Sequence, residues 1–303
     1  MTRTEAGGAW TTPQGNGRRR LKSLGAARAE QAPMFQPRPQ LVATDLDGTL
    51  LRSDGTVSAR TRAALRRVAA AGAEVVFVTA RPYRYLSFAG LDAGLAATAV
   101  CANGAIVYDV AAAAVVEARE LPRPLARTMA EALAAALPGV GFAVETGHLV
   151  RYEPAFGKRF AGDTEIPVPS LADLWRLADP ITKLLVCSTG GDVDRMLAVA
   201  AEVVRDLAEV THSGGAGLLE ISAPGVTKAG TLAALCAARG IAPSEVVAFG
   251  DMPNDLTILT WAGTAYAMGN AHPAVRAAVP RHTASNDDDG VARVLERLFP
   301  VSG

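Results

Sequence analysis

The sequence predicts an α/β protein in which a doubly wound, mostly parallel sheet carries one inserted α+β domain. Three observations support this class. Short apolar runs alternate with helical segments from Leu41 onward, the alternation returns near residue 223, and the stretch between has helices and strands of its own. Of the 303 residues, 50% are hydrophobic, which is enough to bury a large core.

The first half of the sheet begins with LVATDL, an apolar run before a glycine-containing turn, as in a strand buried on both faces. A helix is predicted next, with Ser58 as its N-cap and Gly72 ending it in a left-handed conformation. Leu65, Val68 and Ala69 are expected to share its apolar face. EVVFVTA then predicts a second strand, which a right-handed crossover places parallel to the first.

The second half of the sheet alternates in the same way. Helices are predicted at TKAGTLAALCAARG, NDLTILTWAG and VARVLERLF, and strands at EVVAFGD and TAYAMG. Together the two halves predict a Rossmann-like core, whose functional groups gather at the carboxyl ends of its parallel strands.

The domain boundaries follow from these patterns. We expect a core of residues 39–118 and 223–303, and an α+β domain inserted at 119–222. The insert has predicted helices at PLARTMAEALAAAL and DVDRMLAVAAEVVRDL and predicted strands at GFAVE, HLVRYE, ITKLLVCS and GLLEIS. Residues 1–38 are rich in Gly, Arg, Pro and Gln, so we expect a disordered tail. Met34 is a candidate start of the native protein, which N-terminal sequencing tests.

Composition and charge narrow the expected partners. The formal net charge is zero and the basic block is confined to residues 18–20, so nucleic acid is not expected. Polar residues or proline interrupt each apolar stretch before the roughly 18 residues of a membrane span. Cys101, Cys187 and Cys236 are far apart and odd in number, so we expect buried reduced thiols in a cytoplasmic protein. A small molecule is the expected partner, and the oligomeric state stays open.

Polar side chains stand at strand ends or at a helix start in both halves of the sheet. They are Asp45, Asp47, Thr79, Lys228, Asp251, Asn254 and Asp255. Because these positions share one edge of a parallel sheet, we expect one pocket. Two carboxylates about 4 Å apart repel by roughly 4 kcal/mol at an effective dielectric near 20, which implies a bound cation. A ligand set of oxygens without Cys or His favours Mg²⁺.

These residue types in this order suit phosphoryl transfer. An aspartate at a strand end, Asp45, can attack phosphorus and form an aspartyl-phosphate. Asp47, two residues on and on the same side, can protonate the leaving oxygen and later deprotonate water. Gly48 lets the chain turn sharply and expose N–H groups, while the Thr79 hydroxyl and the Lys228 charge can stabilise the phosphoryl oxygens.

Each segment also has a structural interpretation when it is taken alone. DLDGT could be a turn or N-cap, Thr79 a strand-end hydroxyl, Lys228 a solvated side chain, and GDMPND a turn with a helix cap. The glycines at 214, 215 and 217 are interpreted as a hairpin turn, and so are Asn103 and Gly104. The functional interpretation depends on all four chemical segments occurring together in topological order.

The segments DLDGTL, VFVTARP, GVTKAGTL and GDMPNDL resemble the four signature segments of the haloacid dehalogenase superfamily, specifically its Cof-type phosphatases. The resemblance covers residues from about 40 to 299, and the insert lies between Thr79 and Lys228, where Cof-type proteins have an α/β cap. It implies that Asp45 is the nucleophile and a metal ligand. Asp47 would be the acid/base and give its backbone carbonyl to Mg²⁺, and Asp251 would complete the metal contacts.

The same resemblance assigns the phosphate site. It implies that Thr79, Lys228, Asn254 and the backbone at Leu46 hold the phosphate. Asp255 would orient Lys228 or a metal-bound water rather than bind the metal. Departures from the usual segments are small: Met252 and Pro253 replace a commoner glycine-containing pair, and Ala229 follows Lys228.

The predicted function is hydrolysis of a small phosphorylated metabolite, a sugar phosphate, nucleotide or cofactor phosphate, by a Mg²⁺-dependent phosphatase. Two alternatives stay open. A sugar phosphomutase-type phosphotransferase would hold a bisphosphate intermediate, and a non-catalytic regulator would bind phosphometabolites without turnover. The cap side chains that face the substrate cannot be chosen from the sequence among Arg151, Tyr152, Lys158, Arg159 and His212.

Overall fold

The computed structural model describes residues 38–86, 94–157, 165–176, 180–188, 190, 192–214 and 217–300. The predicted tail therefore lies outside the described residues except for Arg38. No helix in the described part of the chain is long and apolar enough to cross a membrane.

One sheet has seven strands in the order β13-β12-β1-β2-β3-β4-β5. These strands are β1 (Leu41–Thr44), β2 (Glu74–Val78), β3 (Thr98–Cys101), β4 (Ile106–Asp109), β5 (Ala114–Ala118), β12 (Val246–Gly250) and β13 (Thr264–Ala267). Strands β13 to β3 in that order pair in parallel, whereas β4 and β5 form an antiparallel edge. The chain runs outward from β1 in both directions, so β1 and β12 flank the point where strand order reverses.

The helices of this core largely match the sequence prediction. They are α1 (Ala59–Ala70), α5 (Lys228–Ala238), α6 (Leu256–Trp261), α7 (Pro273–Ala278) and α8 (Gly290–Leu298). The sequence analysis did not predict α7.

The two ends of helix α1 are as predicted, but one residue of its apolar face is not. The Ser58 side chain accepts from the backbone N–H of Thr61, and Gly72 has φ +81°, both as predicted. Leu65 and Val68 are buried, but the prediction for Ala69 was wrong because Ala69 faces solvent. The 3.6-residue period turns Ala69 away from the sheet by about 100° from Val68.

The second sheet has six strands in the order β10-β11-β9-β6-β7-β8. These strands are β6 (Gly141–Glu145), β7 (Val150–Tyr152), β8 (Glu165–Pro167), β9 (Lys183–Cys187), β10 (Glu209–Thr211) and β11 (Leu218–Ser222). Its pairs are antiparallel except for β7 with β8. Together with α2 (Arg123–Ala136), α3 (Leu171–Leu174) and α4 (Val193–Val204), this sheet is called the cap below.

The fold class is confirmed: a Rossmann-like, mostly parallel core carries an α+β cap. Within the cap, β8, β10 and α3 have three or four residues each and were missed, because such short elements show no measurable periodicity. Asn103 and Gly104 do connect the antiparallel strands β3 and β4. The segment with Gly214 and Gly217 joins antiparallel β10 and β11, although residues 215 and 216 lie outside the described part.

Candidate active site

Three buried aspartates meet at the carboxyl edge of the core sheet. Asp45 follows β1 and Asp251 follows β12, and the N–H of Asp45 donates to the carbonyl of Phe249 at 3.1 Å. Asp255 ends the helical turn that leads into α6. One carboxylate oxygen from each of Asp45, Asp251 and Asp255 lies within 4.8 Å of the others, and each residue is at most 6% exposed.

Lys228 stands inside this cluster as the first residue of α5. Its Nζ donates to Asp45 Oδ1 and to Asp255 Oδ1, both at 2.6 Å, and the residue is 1% exposed. The interpretation of Lys228 as a solvated side chain is therefore wrong. Burial alone disfavours its charge, but Asp255 and Asp45 offset this and raise the pKa of Lys228 above its ordinary value. Lys228 is a fixed cation.

One ammonium does not neutralise three carboxylates. Burial and the nearby Asp255 raise the pKa of Asp251 to about 7, although Thr49 Oγ1 donates to its Oδ1 at 2.8 Å. Burial likewise raises the pKa of Asp45 well above its ordinary value, despite Lys228. Both shifts show that the ionised cluster lacks positive charge.

The distribution of donors decides which oxygens could hold a cation. Both oxygens of Asp255 already accept donors, since Oδ1 accepts from Lys228 and Oδ2 from the N–H groups of Asp251 and Met252 at 2.9 and 3.0 Å. The Oδ2 atoms of Asp45 and Asp251, in contrast, receive no donor from the described residues. These oxygens fit a hard divalent cation such as Mg²⁺.

The turn after β1 is shaped around Asp251. Leu46 begins this turn with a buried side chain, and Gly48 follows at φ +70°. A Cβ on Gly48 would overlap Asp251 Oδ2. Glycine at position 48 therefore allows the backbone to pass close to the carboxylate cluster.

Asp47 does not join the buried cluster with its carboxylate. That carboxylate is 53% exposed, and Arg81 donates to both of its oxygens at 2.6 Å. This hydrogen-bonded pair raises the pKa of the Arg81 guanidinium above its ordinary value. The sequence analysis missed Arg81, even though it stands in the VFVTARP segment beside Thr79.

Thr79 and Asn254 flank the cluster. Thr79 is fully buried, and its Oγ1 accepts from the N–H of Arg81 at 3.0 Å. Asn254 is 7% exposed, and its Nδ2 donates to Asn103 Oδ1 at 3.0 Å. The Oδ1 of Asn254 is buried without a partner among the described residues. This acceptor is thus available to a donor that is not part of the described protein.

A cavity of about 600 Å³ opens from the cluster toward the cap. On the core side it is lined by Asp45, Asp47, Ala80, Arg81, Pro82, Arg84, Tyr85, Met252 and Asn254. The cap side is formed by Glu145, Lys183, Leu185, Ser213, Gly214, Leu218 and Glu220. The cavity therefore connects the carboxylate cluster with side chains of the cap.

Two buried ion pairs lie where the cap meets the core. Arg84 of the core donates to both oxygens of Glu145 at 2.6 and 2.8 Å. Lys183 pairs with Glu220 at 2.6 Å within the cap and donates to the carbonyl of Ala80 of the core at 2.8 Å. The sequence signal for these residues was weak: single charges in otherwise apolar strands.

Of the five cap candidates named from the sequence, the three that lie in the described part of the chain are not among the residues that line the cavity. His212 is 1% exposed and bonded to Asp194 at 3.0 Å, away from the cavity lining. Neither Arg151 nor Tyr152 is among the described lining residues. Lys158 and Arg159 lie outside the described part of the chain.

Comparison with known proteins gives consistent matches. The sequence profile of the haloacid dehalogenase-like hydrolases matches residues 42–295. The 5-amino-6-(5-phospho-D-ribitylamino)uracil phosphatase YitU of Bacillus subtilis is 30% identical, covering 88% of this chain and 100% of that protein. The pyridoxal phosphate phosphatase YbhA of Escherichia coli is 28% identical, covering 84% and 97%. The crystal structure of a haloacid dehalogenase-like hydrolase from Bacteroides thetaiotaomicron superposes with a TM-score of 0.68 at 25% identity, covering 86% and 100%.

Proposed function

Because the chain belongs to the haloacid dehalogenase-like hydrolases and is a phosphoric monoester hydrolase that acts on small phosphorylated metabolites, we propose that its reaction is Mg²⁺-dependent and passes through an aspartyl-phosphate on Asp45. The observation that carries this proposal is the buried cluster of Asp45, Asp251 and Asp255 around Lys228, open to a cavity of about 600 Å³.

Asp45 is suited to attack phosphorus. Lys228 donates to its Oδ1 at 2.6 Å, which fixes the orientation of the carboxylate for attack. An ionised carboxylate is the nucleophilic form, and the Lys228 charge favours ionisation in a site whose burial opposes it. Asp255 holds Lys228 from the other side at 2.6 Å, so its role is to position this lysine.

The metal ligands in this proposal are Asp45, Asp251 and the backbone carbonyl of Asp47. The first two contribute the Oδ2 atoms that lack donors in the described residues. A bound Mg²⁺ supplies the positive charge that the cluster lacks and polarises the phosphoryl group. Thr49 Oγ1 donates to the other carboxylate oxygen of Asp251, Oδ1, and so helps to hold this side chain in place.

The proton transfers are assigned to Asp47. It protonates the leaving oxygen and then takes a proton from the water that attacks the aspartyl-phosphate. Arg81 engages both carboxylate oxygens, so Asp47 must leave this ion pair first. The incoming phosphate dianion competes for the Arg81 guanidinium and thereby releases Asp47.

The phosphate oxygens are assigned to Thr79, Lys228, Asn254 and the backbone at Leu46. The Thr79 hydroxyl already accepts one bond from Arg81, which leaves its proton to donate. Asn254 uses one amide hydrogen on Asn103 and keeps the second.

The three buried free cysteines suit a reducing compartment, which supports the cytoplasmic location that we include in this proposal.

The test is a panel of phosphorylated metabolites assayed for phosphate release with Mg²⁺ and with EDTA. We expect turnover with Mg²⁺, none in EDTA, and none by Asp45→Asn. Asp54→Asn is the matched control, because Asp54 is an exposed aspartate in the same segment that bonds only to Thr56. Undiminished release by Asp45→Asn would overturn the nucleophile, and retained activity in EDTA would overturn the metal requirement.

A further inference from the structure

The cavity-facing side of the cap sheet is charged rather than apolar. Glu145 of β6 stands directly opposite Lys183 of β9, and Glu220 of β11 stands opposite Leu185 on the same side. Lys183 reaches diagonally to Glu220 at 2.6 Å. A row of negative, positive and negative side chains therefore crosses the middle of the sheet, with Leu185 and Leu218 beside it.

Among the described residues, the cations that line the cavity are all engaged. Arg81 holds Asp47, Arg84 holds Glu145 and also donates to the carbonyl of Gly147, and Lys183 holds Glu220 and the Ala80 carbonyl. The latter two pairs are buried, with carboxylate side chains at most 4% exposed. When Arg81 turns to the substrate phosphate, neither remaining cation is uncommitted for a second anionic group.

Acceptors, in contrast, remain. Glu220 Oε1 receives one donor from the described residues, the Ser213 hydroxyl at 2.5 Å, although each carboxylate oxygen can accept two. Among the described residues, Glu145 Oε2 accepts from Arg84 Nη2 alone, at 2.8 Å. Asn254 Oδ1 is buried without a partner among the described residues. The space beside the phosphate site thus offers acceptors to hydroxyl donors.

We propose that the cavity selects phosphate esters whose leaving group is an uncharged, hydroxyl-bearing chain, and that Glu220 is the residue that excludes a second anion. This proposal rests on the proposed function, since it concerns the leaving group of that reaction. A carboxylate on the leaving group faces Glu145 and Glu220, and it can reach Lys183 only by displacing Glu220 from a buried ion pair. A hydroxyl at the same place donates to the free lone pairs without breaking either pair.

The same charge pattern distinguishes hydrolysis from the phosphomutase alternative. A bisphosphate intermediate carries a second dianion into the cavity, where no described lining residue offers an uncommitted cation beside Glu145 and Glu220. Like charges facing each other in a partly buried site are an effective way to reject a ligand. The cavity therefore favours a substrate with one phosphate.

The experiment uses the full chain with Mg²⁺ and p-nitrophenyl phosphate as a reporter substrate. Two competitors share a four-carbon chain and differ at one end: erythritol 4-phosphate has a hydroxymethyl group where 4-phosphoerythronate has a carboxylate. We expect the inhibition constant of erythritol 4-phosphate to be lower by about tenfold or more. Equal inhibition constants, a reversed order, or failure of both esters to compete would overturn the proposal.

Glu220→Gln tests the residue assignment. The isosteric amide removes one negative charge and leaves Lys183 able to pair with a carboxylate of the ligand. We expect inhibition by 4-phosphoerythronate to strengthen by about tenfold while that by erythritol 4-phosphate stays within a few-fold. Glu117→Gln is the matched control because Glu117 is an exposed carboxylate on the edge strand β5, bonded to Arg119. An unchanged ratio in folded Glu220→Gln would overturn the role of Glu220.

The reporter keeps this test separate from the proposed function. Absence of p-nitrophenyl phosphate hydrolysis by the unaltered chain would count against the phosphatase mechanism itself. Hydrolysis of the reporter with no preference between the two competitors would leave that mechanism intact and refute only the specificity. If Glu220→Gln unfolds, the comparison in the unaltered chain still decides whether a second anion is excluded.

Discussion

Asp251 shows how one residue couples the metal site to folding. Its pKa is raised from 3.8 to about 7, chiefly by burial. Between these values the unfolded chain has released the proton while the folded chain retains it, so protonation stabilises the folded state. That stability is fully present below about pH 4 and is lost as the pH rises through 7. Asp45 shifts in the same direction and adds to the effect.

The metal-free protein should therefore be less stable at pH 8 than at pH 5.5, by roughly 2 kcal/mol from Asp251 alone. Mg²⁺ competes with the proton, so it should raise Tm more at pH 8 than at pH 5.5. Thermal unfolding with Mg²⁺ and with EDTA at both pH values measures this. Asp251→Asn should remove the roughly 2 kcal/mol that Asp251 contributes to this difference, and a Mg²⁺ shift that is larger at pH 5.5 would contradict the charge argument.

Asp47 can be tested through the leaving group. If it protonates the leaving oxygen, Asp47→Asn should slow hydrolysis of an alkyl phosphate by roughly 100-fold or more. The same variant should slow p-nitrophenyl phosphate much less, because p-nitrophenolate leaves without a proton. Comparing kcat/KM for the two esters, which reports the step that releases the leaving group, tests the role, and equal losses for both would show that Asp47 does not act as the acid.

The residues to which we assign the chemistry were accessible to sequence reasoning because each lies near a strand end or a helix start. Arg81 and Glu220 were not. The ion pair of Arg81 with Asp47 and the bonds of Glu220 to Lys183 and Asn103 join residues far apart in sequence. Such partners depend on which distant segments the fold brings together, which no local pattern encodes.

At the scale of elements, the turn that follows β1 packs directly against the carboxylate cluster. A Cβ at Gly48 overlaps Asp251 Oδ2, whereas a Cβ at Gly55 meets nothing within 4 Å. Both glycines have positive φ, +70° and +80°. The two positions therefore share a left-handed backbone conformation, but only Gly48 contacts the site.

We expect Gly48→Ala to weaken Mg²⁺ binding and lower kcat by at least about tenfold, because Asp251 must move. Gly55→Ala should lose only the roughly 1–2 kcal/mol of left-handed strain and keep its activity. Activity as a function of Mg²⁺ concentration, with unfolding measured in parallel, separates these effects. Equal losses of activity in both variants would mean that backbone strain, not contact with Asp251, is responsible.

Elements with clear periodicity and caps were predicted well, as the Ser58 cap and Gly72 end of α1 illustrate. The three-residue strands β8 and β10 were not, since tertiary pairing with β7 and β11 defines them. Asn103 was interpreted only as a turn residue. It is indeed in the left-handed region, at φ +57°, but its side chain also bridges Asn254 and Glu220.

For the whole molecule, the contact of cap with core depends on buried charge. Arg84 reaches from the core to Glu145 of the cap, with side chains 13% and 4% exposed. Lys183 reaches from the cap to the carbonyl of Ala80 at 2.8 Å. Removing one partner of such a pair leaves a buried charge without compensation.

Arg84→Met should therefore destabilise the protein by about 3–5 kcal/mol and loosen the cap. Arg127→Met is the control, because Arg127 and Glu131 form an exposed pair on α2, with side chains 61% and 57% exposed. Its expected effect is below about 0.5 kcal/mol. Denaturant unfolding measures both free energies, and a loss for Arg84→Met no greater than that for Arg127→Met would refute the proposed importance of the buried pair.

The architecture of the whole chain was predictable because the alternation of strands and helices stops and resumes around the insert. The orientation of the cap was not, since it depends on pairs such as Arg84 with Glu145 that the strand pattern does not reveal. For the same reason the sequence analysis named His212 as a cap candidate, whereas Lys183 and Glu220 line the cavity.

The stereochemistry at phosphorus tests the central claim most directly. A phosphorothioate ester, whose phosphorus carries sulfur and two different oxygen isotopes, is hydrolysed with Mg²⁺ in water labelled with the third oxygen isotope. Attack by Asp45 followed by attack of water inverts phosphorus twice, so we predict overall retention of configuration. Inversion would mean that water attacks the substrate directly and that no aspartyl-phosphate forms.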